Sequence, residues 1–319
     1  MNSQKARPLG VAMIGYAFMG KAHSNAWRNV ASFFDVPAFE QKVLVGRDAA
    51  GVAEAAGKYG WTETSTDWRT VIERDDIDIV DICAPGWLHA KIAIAALEAG
   101  KHVRLKKETA GSGALGDIAS HAIDQVLFLL GDQVTEVSGR THTFTTHRPG
   151  AAGQEEVTVD DAAWATLTLA SGAIASVEVS RVATGQKNSL KLEIYGDKGA
   201  ILFDLENLNE LGFLDATGPA REQGFRRILV SEPEHPYVDA WWPQGHIIGW
   251  EHTFTHEIRD FLTAISTGTP PSPSFEDGLT VQRILNAIEE SAAAKSSIIQ
   301  LASAPAGTPT ALTAASEGA

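Results

Sequence analysis

Apolar residues follow two rhythms along this chain. Near the start, Val11, Ala12, Met13 and Ile14 form an unbroken apolar run. They lead straight into Gly15-Tyr16-Ala17-Phe18-Met19-Gly20 and then into a stretch of helical composition. A short run with no polar alternation is the pattern of a strand buried on both faces, so strand, glycine turn and helix succeed one another. The same pattern predicts strands at 42–45 and 77–83, helices over 49–59, 68–74 and 90–98, and a further strand opening at Lys101-His102-Val103. A helix is predicted over 114–130, after which the period drops to two. Alternating segments at 134–145, 162–169, 173–180, 190–195 and 200–203 predict an antiparallel sheet. Ser171-Gly172 and Gly196-Asp197-Lys198-Gly199 supply turns, and 148–156 reads as a polar loop. Helices at 253–266 and 275–294, parted by Pro270-Pro271-Ser272-Pro273, close the fold, and 302–319 reads as a disordered tail.

The glycine turn defines the candidate chemistry. Gly15 permits a tight turn, Gly20 lets the helix approach the strand, and the backbone N–H groups around Phe18 and Met19 face a pyrophosphate at the positive helix end. Tyr16 and Ala17 complete the loop, and Ala17 stands where the middle glycine of a dinucleotide fingerprint is usual. After the second strand comes Gly46-Arg47-Asp48, where an acidic side chain would bond the adenosine ribose and an arginine would pair with a 2′-phosphate. Gly46 removes the carboxylate and Arg47 offers a guanidinium, which favours NADP(H); Asp48 keeps NAD(H) open, and Arg47 is equally readable as a solvated surface charge. Ala84, Pro85 and His89 belong to the loop after the third long strand, at the carboxyl end of a parallel sheet where such folds bind ligands.

Composition changes this picture only by exclusion. The 319 residues suffice for two domains, and 44% hydrophobic with 21% charged residues is ordinary for a soluble globular protein. A formal charge of −14 leaves no basic stripe for a nucleic acid partner. One cysteine, Cys83 in an apolar strand, excludes a disulfide framework and fits a reducing cytoplasm. The apolar segment 92–97 is too short to span a bilayer, so no membrane partner is expected. No histidine spacing suggests a metal site.

In the second half, Asp117, His121 and Asp124 fall at i, i+4 and i+7 of the predicted helix, forming a polar ridge beside Ile118, Ala122, Ile123 and Val126. An imidazole flanked by carboxylates suits removal of a hydroxyl proton, with His121 as base and Asp117 orienting it or holding substrate. From the residues alone, Asp117 complementing the helix N-terminus and His121 making a surface pair with it is the preferred account. Trp241, Trp242, His246, Trp250 and His252 could wall a sugar pocket or pack as core; His246 is the substrate contact selected there.

Taken together, GYAFMGKAHSNAW, DICAPGWLHAKIAIAALEAGKHV, Gly116-Asp117 with His121 and Asp124, and the segment from His235-Pro236-Tyr237 to His252 resemble the glucose-fructose oxidoreductase, inositol dehydrogenase and MocA family (Gfo/Idh/MocA). The resemblance implies an α/β fold with an N-terminal Rossmann-like domain over 1–103 and a C-terminal α+β domain over 104–301 with an open antiparallel sheet. It implies an NAD(P)-dependent dehydrogenase of a sugar or cyclitol, a homo-oligomer (dimer or tetramer), and a catalytic His121 with Asp117. It also exposes a break. The family continues its H-V strand into E-K-P, whereas here His102-Val103 runs into Arg104-Leu105-Lys106-Lys107-Glu108. Lys107 holds the register of the E-K-P lysine, although the downstream block explains it equally well. A parallel strand needs a crossover of about a dozen residues, and 104–113 provides none, so either residues are missing from the sequence between Val103 and Arg104 or the Rossmann-like sheet is unfinished. A catalytically defective cofactor-binding or regulatory protein is the alternative this break raises.

Overall fold

The computed structural model describes residues 7–105, 112–150 and 153–302. In chain order the first elements are β1 (Leu9–Ile14), α1 (Phe18–Phe33), β2 (Phe39–Val45), α2 (Ala49–Tyr59), β3 (Glu63–Ser65), α3 (Trp68–Ile72), β4 (Ile79–Ile82), α4 (Gly86–Glu98) and β5 (His102–Leu105). There follow a π-helical turn at Leu115–Ala119, α5 (Ser120–Leu130), β6 (Val134–His142), β7 (His147–Gly150), β8 (Gly153–Glu156), β9 (Ala162–Leu169) and β10 (Ile174–Ser180). The last are β11 (Lys191–Tyr195), β12 (Gly199–Asp204), β13 (Glu210–Asp215), β14 (Arg226–Leu229), α6 (Trp250–Thr267), α7 (Phe275–Ala293) and β15 (Ile299–Gln300). Among the described residues, no helix is long and apolar enough to cross a membrane.

The chain divides into two compact units, Met1–Lys106 with Gly185–Thr269, and Lys107–Thr184 with Pro270–Ala319. This differs from the expected division at 103/104, because the second crossing of the chain returns residues 185–269 to the first unit. The reason is packing. Phe254, Ile258 and Leu262 of α6 sit at i, i+4 and i+8, and they enter the same core as Val11, Met13, Trp27, Val30, Leu44 and Ile79.

In the first unit β1 to β5 form a parallel sheet in the order β3-β2-β1-β4-β5. Val11, Ala12 and Met13 are wholly buried because helices cover both faces. One face packs against α1, α2 and α6; the other buries Ala12, Val43, Val80 and Ile82 with Ile92 and Ala96 of α4. Strand order reverses between β1 and β4, the switch point at which such sheets bind ligands beyond their carboxyl ends. Described strands end at β5 on one edge. A separate antiparallel sheet, β11-β12-β13-β14, belongs to the same unit.

The second unit holds an antiparallel sheet in the order β10-β9-β6-β15. Gly139 of β6 faces α7, where an added Cβ would meet Ile288 Cγ2 at 2.6 Å. Val137, Ala165, Leu167 and Val177 share that face by register, and the opposite face exposes Arg140, Thr166, Ser176 and Glu178. The polar loop expected at 148–156 is a short hairpin, β7 with β8. The expected tail at 302–319 lies, beyond residue 302, outside the described residues.

Candidate functional site

The phosphate loop sits at the switch point, and its two glycines are obligatory there. Gly15 has φ +110°, and a Cβ on it would lie 2.4 Å from the Cys83 carbonyl oxygen; a Cβ on Gly20 would lie 2.2 Å from the Gly15 carbonyl oxygen. Both obstacles are backbone and cannot move aside. The missing middle glycine has an equally local explanation. Ala17 is the residue preceding α1 and has φ −70° and ψ −156°, which any L-residue adopts, so no glycine is needed. α1 has no side-chain cap at Ala17 and no acidic residue in its first turn, so no negative side chain of that turn offsets its positive dipole end, which favours an anion. These features fit a dinucleotide pyrophosphate.

Beside the loop, Tyr16 packs against the core that includes Val52 and Ala55 of α2. Arg47 and Asp48 are both exposed, and Asp48 Oδ2 accepts the Gly51 N–H at 2.6 Å, capping α2. Ala84 is buried, Pro85 precedes the first turn of α4, and His89 lies inside that helix rather than at its start. His89 is buried and its Nε2 donates to the Ala84 carbonyl at 2.5 Å, so the ring pins the loop. Phe18 stacks on Trp250, the first residue of α6, with ring centroids 5.6 Å apart and planes 13° apart. Of the late aromatic segment, Trp241 is buried and its Nε1–H donates to His256 Nε2 at 2.8 Å, while Tyr237 stacks on His256 at 4.2 Å and donates its hydroxyl to Asp260. Burial, with the nearby His252 charge, pushes the His256 pKa down to about 4. His246 is exposed and its Nδ1 donates to the Pro243 carbonyl at 2.7 Å.

Under the loop lies an ionic cluster that sequence reading did not find. His23 of α1, Asp81 of β4 and Arg104 of β5 are all buried. His23 Nδ1 lies 3.0 Å from both Asp81 oxygens and 3.0 Å from Cys83 Sγ, and Trp27 Nε1–H donates to Asp81 at 2.8 Å. Arg104 Nη1 is 3.1 Å from Asp81 Oδ1, and its Nη2 approaches Glu257 of α6 at 2.5 Å, close enough for charge pairing though not aligned for a hydrogen bond. Burial opposes ionisation of Asp81, but His23 and Arg104 outweigh it and hold the carboxyl below the usual range. His23, Asp81 and Cys83 are close enough together to ligate a metal ion, yet the Arg104 guanidinium already supplies the positive charge against the same atoms. The cluster is therefore a buried salt bridge linking strands and helices of the Rossmann core.

In the second unit, Asp117 lies on the π-helical turn and His121 on the exposed side of the first turn of α5. The expected helix thus starts with a wider turn, which changes the presentation of the i, i+4 pair; such turns recur at functional sites. Asp160 Oδ2 accepts the Leu115 N–H at 2.9 Å and holds the start of this turn. Asp117 pairs with Arg181, which follows β10. Nothing in the local sequence signals Arg181, because the pairing joins residues 64 apart. Asp124 is partly buried; burial, then the charge of Asp277, raises its pKa. Lys107 lies outside the described residues.

Comparison with known proteins agrees with this geometry. Residues 9–107 match the family model described as the oxidoreductase family, NAD-binding Rossmann fold, and residues 85–202 match the GFO/IDH/MocA C-terminal domain. Levoglucosan dehydrogenase of Pseudarthrobacter phenanthrenivorans is 34% identical over 379 positions, covering 90% of this chain and 97% of that protein. That alignment is longer than the whole chain, so the relative has residues this chain lacks. Among solved structures, an oxidoreductase domain protein from Kribbella flavida superposes with a TM-score of 0.88 and 42% identity, covering 93% of this chain and all of that one. Levoglucosan dehydrogenase in complex with NADH and L-sorbose superposes with a TM-score of 0.86 and 34% identity, covering 92% of this chain and 99% of that one.

Proposed function

The chain belongs to the Gfo/Idh/MocA oxidoreductase family, and on that footing we propose that it is an NAD(P)-dependent dehydrogenase moving a hydride between the nicotinamide and a secondary alcohol of a sugar or cyclitol. The observation that carries the reading is the glycine cradle at the switch point, where Gly15 and Gly20 meet backbone too closely for any side chain. The residues that would hold the cofactor are Gly15 to Gly20 at the pyrophosphate, Arg47 and Asp48 at the adenosine ribose, and Ala84 and Pro85 at the mouth of the crevice. When bound, the nicotinamide supplies the hydride chemistry. His121 takes the hydroxyl proton, and Asp117, oriented by Arg181, positions the imidazole or a substrate hydroxyl. His246 is a further substrate contact, and Lys107 a weaker catalytic candidate.

The finer reading of the cofactor is NADP(H). Asp48 is engaged at the N-terminus of α2, while Arg47 is exposed and free to meet a 2′-phosphate. NADPH and NADH titrations test it, and a clear preference for NADH refutes this use of Arg47. We further propose a cytoplasmic protein that forms a dimer or tetramer through its open sheet, a state that light scattering would read. For the reaction itself, His121→Ala is expected to lower turnover about 10²–10⁴-fold while cofactor affinity stays nearly constant. Unchanged turnover on an identified substrate would remove His121 from the mechanism. The alignment that outruns the chain favours one second reading, a protein that binds the nucleotide without turnover. A sugar and inositol panel that shows nucleotide binding but no absorbance change at any substrate supports that alternative.

A further inference from the structure

We infer that Tyr16 governs how this chain reads the adenosine ribose, an inference that rests on the cofactor reading above. By sequence, Gly46 is a lost carboxylate; the structure gives the glycine another cause. A Cβ at position 46 would lie 2.1 Å from Cε1 and 2.5 Å from Cδ1 of Tyr16, and 3.2 Å from Val52 Cβ. A Cβ on Gly51, in the first turn of α2, would lie 2.7 Å from the Tyr16 hydroxyl and equally 2.7 Å from Asp48 Oδ2, the cap of that helix. The phenol therefore reaches from the phosphate loop across the ground between the end of β2 and the start of α2; Gly46 makes room for its ring, and Gly51 for its hydroxyl together with the Asp48 cap. That ground is where an acidic side chain would accept a hydrogen bond from the ribose 2′-hydroxyl.

Two consequences follow for recognition. No side chain, acidic or otherwise, fits at position 46 while Tyr16 keeps this rotamer, and the rotamer is held because the ring packs against the α1–α2 core. Asp48 does not replace the missing acid, since its Oδ2 turns to the Gly51 N–H. The groups left at the ribose edge are the Tyr16 hydroxyl, which donates to a hydroxyl or a phosphate oxygen alike, and the exposed Arg47, which favours the phosphate. Positions 16 and 46 are thus one coupled determinant. Tyrosine with glycine admits a 2′-phosphate; a small residue at 16 with an acid at 46 selects the free 2′-hydroxyl.

The test is a double-mutant cycle on the full chain, with dissociation constants for NADH and NADPH from fluorescence titration. Gly46→Asp alone is expected to weaken both nucleotides about tenfold, because it displaces the ring over the site. Combined with Tyr16→Ala, it should restore binding and shift the NADH:NADPH preference about tenfold towards NADH. If Gly46→Asp alone shifts the preference as far as the double variant does, the coupling is absent and the inference is overturned. Because Gly46→Asp risks misfolding, the same coupling is also read without ligand. Gly46→Ala should lower the melting temperature by about 4 °C or more beside Tyr16, the scale of an over-packed methyl group, and by much less in the Tyr16→Ala background. Equal losses in both backgrounds overturn it. A wild-type chain that binds neither nucleotide overturns the cofactor reading and the ribose role with it, whereas normal binding with additive variants overturns Tyr16 alone.

Discussion

Asp81 accepts from Trp27, pairs with His23 and Arg104, and has no contact with solvent. Removing one member of such a cluster strands the others, so Asp81→Ala is expected to cost about 3–5 kcal/mol in urea unfolding. The Asp117–Arg181 pair differs because both partners are about one-third exposed. Arg181→Ala should therefore change stability by about 0–1 kcal/mol and show itself in turnover, through a freed Asp117. At the phosphate loop, Gly20→Ala drives a methyl group into the Gly15 carbonyl, so nucleotide affinity should fall together with the melting temperature, because α1 must shift against β1. These residues were unequally legible. Gly15 and Gly20 announce themselves because a glycine turn between an apolar strand and a helix has few other uses. Arg104 does not, since a lone arginine in a strand reads as surface until Asp81 and Glu257, distant in sequence, are seen beside it.

Helices were the more readable elements, because three to five apolar residues at helical spacing survive a polar background. α2 was expected at its observed bounds, and α7 differs by one residue. α7 also carries its own start signal. Ser274 accepts the Asp277 N–H and Asp277 accepts the Ser274 N–H, a reciprocal cap that α1 lacks. Ser274→Ala is accordingly expected to cost about 1 kcal/mol, seen as a fall of about 2–4 °C in the melting temperature of the unit. Strands β13 and β14 escaped sequence reading because Gly212 and the pair Arg226-Arg227 interrupt the alternation. They are held by pairing to β12 and to each other, and Arg226 lies over the Phe213 ring at 4.9 Å. The hairpin of β7 and β8 hides for the same reason: its residues are exposed and polar on both sides, so no period marks them. The π-turn before α5 cannot be read from spacing at all, since one extra residue per turn leaves the apolar count unchanged.

Across the whole molecule, acid sensitivity should originate in the first unit. His256 ionises near pH 6.5 when unfolded but only near 4 when folded, so its stabilising contribution is complete above pH 6.5 and is lost as pH falls from there through about 4. Its neighbours His252, Asp260 and Arg259 set the local field. Melting temperature should decline between pH 7 and 5.5, and His256→Gln, which keeps an acceptor for Trp241, should flatten that decline. Asp81 adds a second loss at lower pH, because its depressed folded pKa withdraws stability as pH falls below the unfolded carboxylate range. By itself the sequence determined the α/β plan and the glycine turn between the first strand and the first helix. Each rests on residues close together in the chain, where periodicity and turn chemistry act directly. Only the tertiary structure decided that α6 completes the Rossmann core, that Arg104 neutralises Asp81, that Arg181 holds Asp117, and that Gly46 is glycine because of Tyr16. Those facts depend on which distant side chains share a volume, and burial and close contact are properties of the folded chain that no local pattern records.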